Sequence, residues 1–552
     1  MTDGQPIVPD GPGFKHPVVF VVNQFAEIPK IALALRSSHQ ATIISEGTAS
    51  DASVVTTHRF DAGEGINVEF RLGEMVSGDG SIGLQVRSVP TPDSGLGEEA
   101  LRVALAMVRG TNSHESDTQK TPVIAAPPRN NAYPAMRYPA VAYRLLAAAR
   151  IWSVFNHFFP YSHLMETTWD SILSASIPDF ASARDSIEYG LAIARMIARS
   201  HDTHVRAMNS PHVHFWGAGS PSFLVQFIEQ KAVVTHLLDS TSSLAAGIRI
   251  GDIVTTVDGE DVGTRMRRFT PYVSASTPQS LLSSLAGFII RGPDSSIGTY
   301  GLQDANGKTK TIHVLRRAGN RSLLKSWRSG EIFKILPGNI GYVDLERLPV
   351  SLVDSMFSAF RNTKAIIFDD RGYPMGTAWQ ISPRLSEQSE PVAALFSRPV
   401  VAYPGGRSGE RVEQTEVYSF KQSIPATDKW RYKGSTVLLI DERAISQAEH
   451  TGLLLKAATA ITFVGSGTTG ANGDVTEFNL PGGITVRMTG HNVRFPDGRQ
   501  LQRVGLVPDI EVRPTVRGFR AGRDEVLEKA IAYLNRKLTK KSLPSGHIFG
   551  HQ

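Results

Sequence analysis

Thr436 to Gly470 reads TVLLIDERAISQAEHTGLLLKAATAITFVGSGTTG. An apolar run ends at Ile440, a polar turn follows, and a helical pattern rich in Ala and Leu begins at the SQAE junction. A second apolar run and a Gly-Thr turn close the segment, so it predicts strand, helix and strand. Ser446 and Glu449 stand three apart at the helix start. That spacing fits a capping box, in which Ser bonds the third helical amide and Glu reaches back. It also fits a serine nucleophile held at a helix N-terminus.

The same order of elements occurs near the other end of the chain. VVFVVNQFAEIPKIALALRSSHQATIISEGTAS (Val18 to Ser50) again reads as strand, turn, helix, strand and Gly-Thr turn. DAGEGINVEFRLGEMVSGDG (Asp61 to Gly80) parallels LPGGITVRMTGHNVRFPDG (Leu480 to Gly498) as an alternating hairpin. VPTPD (from Val89) echoes VPDIEV (from Val507), and EEALRVALAMV (from Glu98) echoes DEVLEKAIAYL (from Asp524). Residues 1–114 therefore read as a degenerate half-copy of the C-terminal core. Ala26 or a neighbour fills the place of Ser446 in that copy.

Between the copies, 115–139 is a Pro-rich linker. Residues 140–215 carry apolar positions at helical spacing (Leu146, Ile151, Val154, Phe155; Ile187, Leu191, Ile197) and predict an all-helical unit. Residues 219–320 are β-rich, 330–540 alternate strand with helix, and 541–552 form a tail. The alternation predicts a mostly parallel sheet flanked by helices, so the chain is expected to be a multidomain α/β protein.

Composition excludes several classes of function. The chain has 552 residues, a formal charge of +6 and no Cys, which removes disulfides and thiolate chemistry. Lys and Arg are scattered without the dense runs of a nucleic-acid footprint. No apolar run approaches a membrane span, and the N-terminus shows no basic and apolar signal pattern. The expectation is a soluble protein, cytoplasmic as given; because the chain begins inside a half-copy, a longer natural protein with a signal peptide, outside the cytoplasm, is the alternative. His201 and His204 could form half a metal site, but no acidic or His pair completes it, so no metal or cofactor is expected.

SSLAAGIRIGDIVTTVDGEDV (Ser242 to Val262) resembles a bacterial protease-associated PDZ domain. Gly247, Gly251 and Asp252 match that family's turn residues, and the resemblance implies peptide binding by strand addition. GNIGYVDL, AIIFDDRGYPMG, VLLIDERAISQAE, FVGSGTTG, PDGR and VGLVPDIEV then occur in the order of the tail-specific, or C-terminal processing, serine proteases. The helical unit resembles that family's tricorn-like branch. The resemblance covers roughly residue 140 to the end and implies a crotonase-like ββα protease core acting on unfolded or C-terminally presented polypeptides.

The same resemblance assigns roles. Ser446 matches the nucleophile, and His204 in SHDTHVRA matches the general base, with Thr203 beside it. Ala471 stands where the lysine-using branch has its base, which argues against a Ser-Lys dyad. The position of the His-orienting Glu holds Gln502, which would orient the imidazole without stabilising its charged form. Asp202 is a second group that could pair with His204 or His201. The Gln447 amide would supply one oxyanion donor and Gly376, or else Gly372, the other. Asp369 and Asp370 read as turn formers or as a substrate or ion-pair site. The rival expectation is a weak or inactive homologue that binds peptides or hydrophobic ligands.

Overall fold

The computed structural model describes residues 131–403 and 414–542 and, nearer the N-terminus, 16–23, 28–47, 49, 57–61, 65–71, 83–84, 86–89 and 98–111. Ala26 and most of the expected linker lie outside these. The chain forms two compact units, Met1–Arg129 with Tyr403–Gln414, and Asn130–Ala402 with Thr415–Gln552. No helix among the described residues is long and apolar enough to cross a membrane.

In the first unit, the strands Val18–Asn23, Ala41–Glu46 and Arg87–Val89 form a parallel sheet in that order. The helix Lys30–Ser37 covers one face through Ile28, Ala32, Val22 and Ile43, and Glu98–Val108 covers the other through Ala100, Val103 and Ala104 against Ile44 and Val89. An antiparallel hairpin, Thr57–Asp61 with Asn67–Arg71, lies between the second and third strands in sequence.

The second unit is built on a six-stranded sheet ordered Phe333–Leu336, Ile340–Asp344, Ala365–Asp369, Ser435–Ile440, Thr462–Gly465, Ile510–Glu511. Its first pair is antiparallel and the others are parallel. Buried on both faces, the central strands read as continuous apolar runs. Side chains nevertheless alternate: Ile366, Phe368, Leu438 and Ile440 pack with the helix Gln447–Ala458, whereas Ile367, Val437 and Leu439 pack with Glu525–Ser542. The strands Ser435–Ile440, Thr462–Gly465 and Ile510–Glu511, with their helices and the hairpin Val475–Leu480 and Ile484–Thr489, repeat the first unit's element order and parallel strand sequence.

The segment expected to be all-helical has three long helices, Val141–Phe158, Trp169–Ser182 and Ser186–Ala198, and the start of a short one, Val213–Trp216. Their apolar faces share one core with Phe478, Leu480, Ile484, Val486 and Met488 of the hairpin. The segment also contains a strand, Arg206–Met208, paired antiparallel with Ile484–Thr489. Three residues are too few to show a period of two, so helical spacing upstream concealed it. The β-rich segment is an antiparallel sheet ordered Thr309–Leu315, Ile297–Gln303, Ile253–Val257, Lys231–Leu237, Phe223–Ile228. The helix Pro278–Ile289 packs beside its last strand.

Candidate active site

The pairing of Arg206–Met208 with the hairpin positions the first group of the site. Arg206 pairs with Arg487 and Met208 with Thr485, and the same register continued two residues sets Thr489 opposite His204. His204 Nδ1 lies 2.9 Å from Thr489 Oγ1. The Thr489 hydroxyl donates to Asp202 Oδ2 at 2.6 Å, and Asp202 also accepts from the His204 and Thr489 amides. A hydroxyl has one hydrogen, and here it goes to the carboxylate. The Thr489 oxygen therefore accepts from the ring, which places the His204 proton on Nδ1 and leaves Nε2 as an acceptor. Nε2 is buried and has no hydrogen-bond partner among the described residues. Burial holds His204 below the ordinary histidine range; Asp202 opposes the shift, and Arg206 and Arg487 deepen it.

The second group is the start of the helix Gln447–Ala458. Ser446 sits at φ 57° and ψ −113°, and its side chain makes no cap hydrogen bond, so the capping-box geometry is absent. Such a backbone costs a non-glycine residue of order 1–3 kcal/mol and persists only where its surroundings impose it. The Ser446 amide donates to the Ala471 carbonyl at 2.8 Å. Glu449, fully buried, accepts from Thr468 Oγ1 at 2.5 Å, from the Gly470 amide at 2.6 Å and from the Ala471 amide at 2.9 Å. Burial pushes Glu449 up to about 7 against those donors. The Glu of S-x-x-E thus clamps the 468–471 turn, and that turn fixes the backbone of Ser446.

The two groups meet through the same loop. A Cβ on Gly473 would stand 3.0 Å from Thr489 Cγ2, so glycine there lets the loop carrying Ala471 close on the strand carrying Thr489. Tyr161, from the helical segment, reaches the carbonyls of Asn472 and His491 and accepts from the Val493 amide. No hydrogen bond joins Ser446 Oγ to His204 Nε2 among the described residues.

Two backbone amides expected as oxyanion donors are uncommitted. The Gln447 and Gly376 amides donate no hydrogen bond among the described residues, and a Cβ on Gly376 would stand 2.9 Å from Gln447 Nε2. Gly372, the other expected donor, uses its amide on the Asp370 carbonyl at 2.9 Å.

Gln502 and Thr203 do not hold the His204 ring. Gln502 is buried and points Nε2 at Ser276 Oγ at 3.4 Å, and Thr203 Oγ1 donates to Ser276 and Ser280. The ring's partner is Thr489, with Asp202 behind it. Both lie in quoted motifs, but their contact spans 287 positions and has no local signature. Sequence reasoning also passed over His491, which pairs through Nδ1 with Asp474 and packs against Phe396 and Phe420.

Gly247, Gly251 and Asp252, expected to bind peptide, serve the fold. Asp252 accepts from the Arg249 amide at 3.0 Å and from Lys310 Nζ at 2.9 Å, and Lys310 also reaches the Gly247 carbonyl. A Cβ on Gly251 would stand 2.4 Å from Arg520 Cγ. Asp369 and Asp370 part ways. Asp369, despite burial, is held well below the usual carboxylate range by Arg371 and Arg328. Both carboxyl oxygens of Asp370 are buried without a partner, and burial with the Asp369 charge holds it well above that range.

Residues 339–512 match the model of peptidase family S41, and residues 228–314 match that of the Bacteroidetes S41 peptidase N-terminal domain. No curated protein matches the chain. Among solved structures, a mutant of CPAF aligns with a TM-score of 0.58 at 15% identity, covering 74% of this chain and 99% of its own. Mature CPAF complexed with lactacystin aligns at 0.56 and 15%, covering 72% and 99%. A photosystem II D1 C-terminal processing protease aligns at 0.39 and 16%, covering 69% and 98%. The two CPAF alignments show a shared fold.

Proposed function

We propose that this chain, whose residues 339–512 match the S41 peptidases, is a serine endopeptidase of the tail-specific, tricorn-like kind, with Ser446 as nucleophile and His204 as general base. The observation that carries the reading is the Asp202–Thr489–His204 relay. It leaves His204 Nε2 bare, as proton abstraction from a serine requires. In the reaction Ser446 Oγ attacks the scissile carbonyl and gives its proton to Nε2. The Gln447 and Gly376 amides receive the oxyanion, and the imidazolium returns the proton to the leaving amine while Asp202, one hydroxyl away, offsets its charge.

The groove between the edge strand Phe223–Ile228 and the helix Pro278–Ile289 supports PDZ-type recruitment. It is lined by Gln226, Phe227, Leu282 and Ala286 and reaches Glu442 and Arg443, in the turn that leads to Ser446. A free strand edge beside a half-apolar helix is what strand addition requires. A peptide lying there would run toward the nucleophile.

The first unit fits a serine-free copy of the second half of this core. Its helix starts after Pro29 at φ −61° and ψ 140°, an ordinary extended cap, where the catalytic copy has Ser446 strained. The architecture does not require the strained residue, which supports a chemical reason for it. Gln502 in place of an acid favours a second reading, a weakly active peptide-binding homologue. Turnover of an unfolded protein by the full chain, lost in Ser446→Ala with the thermal melt unchanged, is the expected result; equal turnover by both would overturn the peptidase assignment.

A further inference from the structure

The second unit holds an open-sided cavity of about 920 Å³, walled by the helix Ser186–Ala198, the strand Arg206–Met208 and the helix Pro278–Ile289. Arg137, Arg206, Arg291 and Arg321 line it, with His212 and His214, and no Asp or Glu does. Several enclosed arginines elsewhere meet carboxylates, Arg265 with Glu260, Arg316 with Asp258, Arg328 with Asp344 and Arg371 with Asp369, and Arg144 is met by the Phe180, Pro139 and Ala181 carbonyls. Burial of a cation is costly unless a counter-charge meets it, and these pairs follow that rule.

The cavity departs from that pattern: Arg291 is half-buried and Arg137, Arg206 and Arg321 are exposed along its wall. None of its four guanidinium groups has a carboxylate partner among the described residues. Arg291 Nε, Ser210 Oγ and His212 Nδ1 are buried polar atoms with no hydrogen-bond partner. Burial pushes Arg291 down to about 10, with the Arg321 charge adding to the shift, and burial together with Arg206 lowers Arg321. Gly287 makes room for the cluster, since a Cβ there would stand 2.5 Å from Arg321 Nη1.

We propose that this cavity binds a small ligand carrying a diphosphate or an equally charged oxyanion. A peptide carboxylate brings one negative charge and leaves most of the cluster uncompensated, whereas a diphosphate brings several and accepts the forked hydrogen bonds that arginine offers. The volume exceeds a bare diphosphate, and Trp216, Phe288 and Tyr272 supply an apolar wall for an organic part. The site is separate from Ser446 and does not depend on the peptidase assignment.

Titration calorimetry of the full chain with inorganic pyrophosphate and with ADP tests it. Saturable binding of pyrophosphate is expected, weakened about tenfold in each of Arg291→Gln and Arg321→Gln and unchanged in Ser446→Ala. Tighter binding of ADP would assign an organic diphosphate, and equal binding an inorganic one. Arg321 is largely solvent-exposed, so its variant is expected to fold; a circular-dichroism melt checks this. No heat with either ligand, binding unaltered in both Arg variants, or saturation by a free-acid peptide in place of pyrophosphate would overturn the proposal.

Discussion

At Ser446 the chain holds a non-glycine residue at φ 57°, and its amide and the Glu449-clamped turn keep it there. Glycine meets that backbone without the Cβ penalty. Ser446→Gly is therefore expected to raise unfolding stability by about 1 kcal/mol while abolishing turnover, measured by urea titration and peptide hydrolysis. The relay behind His204 makes its own prediction. Thr489→Val removes the acceptor that keeps the ring proton on Nδ1, and kcat is expected to fall by about 10² or more with KM little changed. The neutral imidazole is the active form, and burial lowers its pKa, so the acid limb of kcat/KM is expected below the ordinary histidine value of about 6.5. Asp202 raises that pKa, so Asp202→Asn should move the limb further to acid; a limb above pH 6.5 in the unaltered protein would contradict the relay. Ser446 and His204 were picked out of the sequence because each lies in a short local motif. Thr489 has no such signature, since its role exists only once the strand Arg206–Met208 pairs with a strand far along the chain, Arg206 with Arg487 and Met208 with Thr485. Gln502 was placed near the His by resemblance, but its amide turns to Ser276.

Among the elements, the parallel strands of the six-stranded sheet were plain from their apolar runs, and a buried, unpartnered carboxyl follows Ala365–Asp369. Asp370 is 1% exposed with both carboxyl oxygens unpartnered. Its pKa is raised in the folded state, so between the ordinary carboxyl range and that raised value the folded chain holds a proton that the unfolded chain has released. Stability therefore falls as pH rises through this window. Asp370→Leu is expected to add about 1–3 kcal/mol at neutral pH and to flatten that slope, measured by denaturant titration across pH 5 to 8; a loss of stability would mean that an unseen partner serves the carboxyl. The groove beside Phe223–Ile228 gives a second test at this scale. Leu282→Asp puts a charge into its apolar wall, and KM for an unfolded protein is expected to rise about tenfold or more, while hydrolysis of a short peptide that reaches only Ser446 stays unchanged. The short strand Arg206–Met208 was invisible in the sequence because three residues cannot declare a period against the helices before them.

Across the whole molecule, one strand-helix-strand plan occurs twice, once with a strained serine at the helix start and once with Pro29 in an extended cap. The order of elements was legible from the sequence because apolar runs and turns mark them, whereas the distribution of charge was not. Lys and Arg scattered along the chain looked like a solvated surface, yet four of the arginines converge on one carboxylate-free cavity. Convergence of this kind is a property of the fold, invisible to local composition. The catalytic account turns on one serine and one histidine, with His491 as the other histidine paired to a carboxylate among the described residues. Labelling by a fluorophosphonate probe, mapped by mass spectrometry in the full chain and in His204→Ala and His491→Ala, tests this most directly. Modification at Ser446 that is retained in His491→Ala and lost in His204→Ala is the predicted result; no modification at Ser446, or modification that ignores His204, would contradict it.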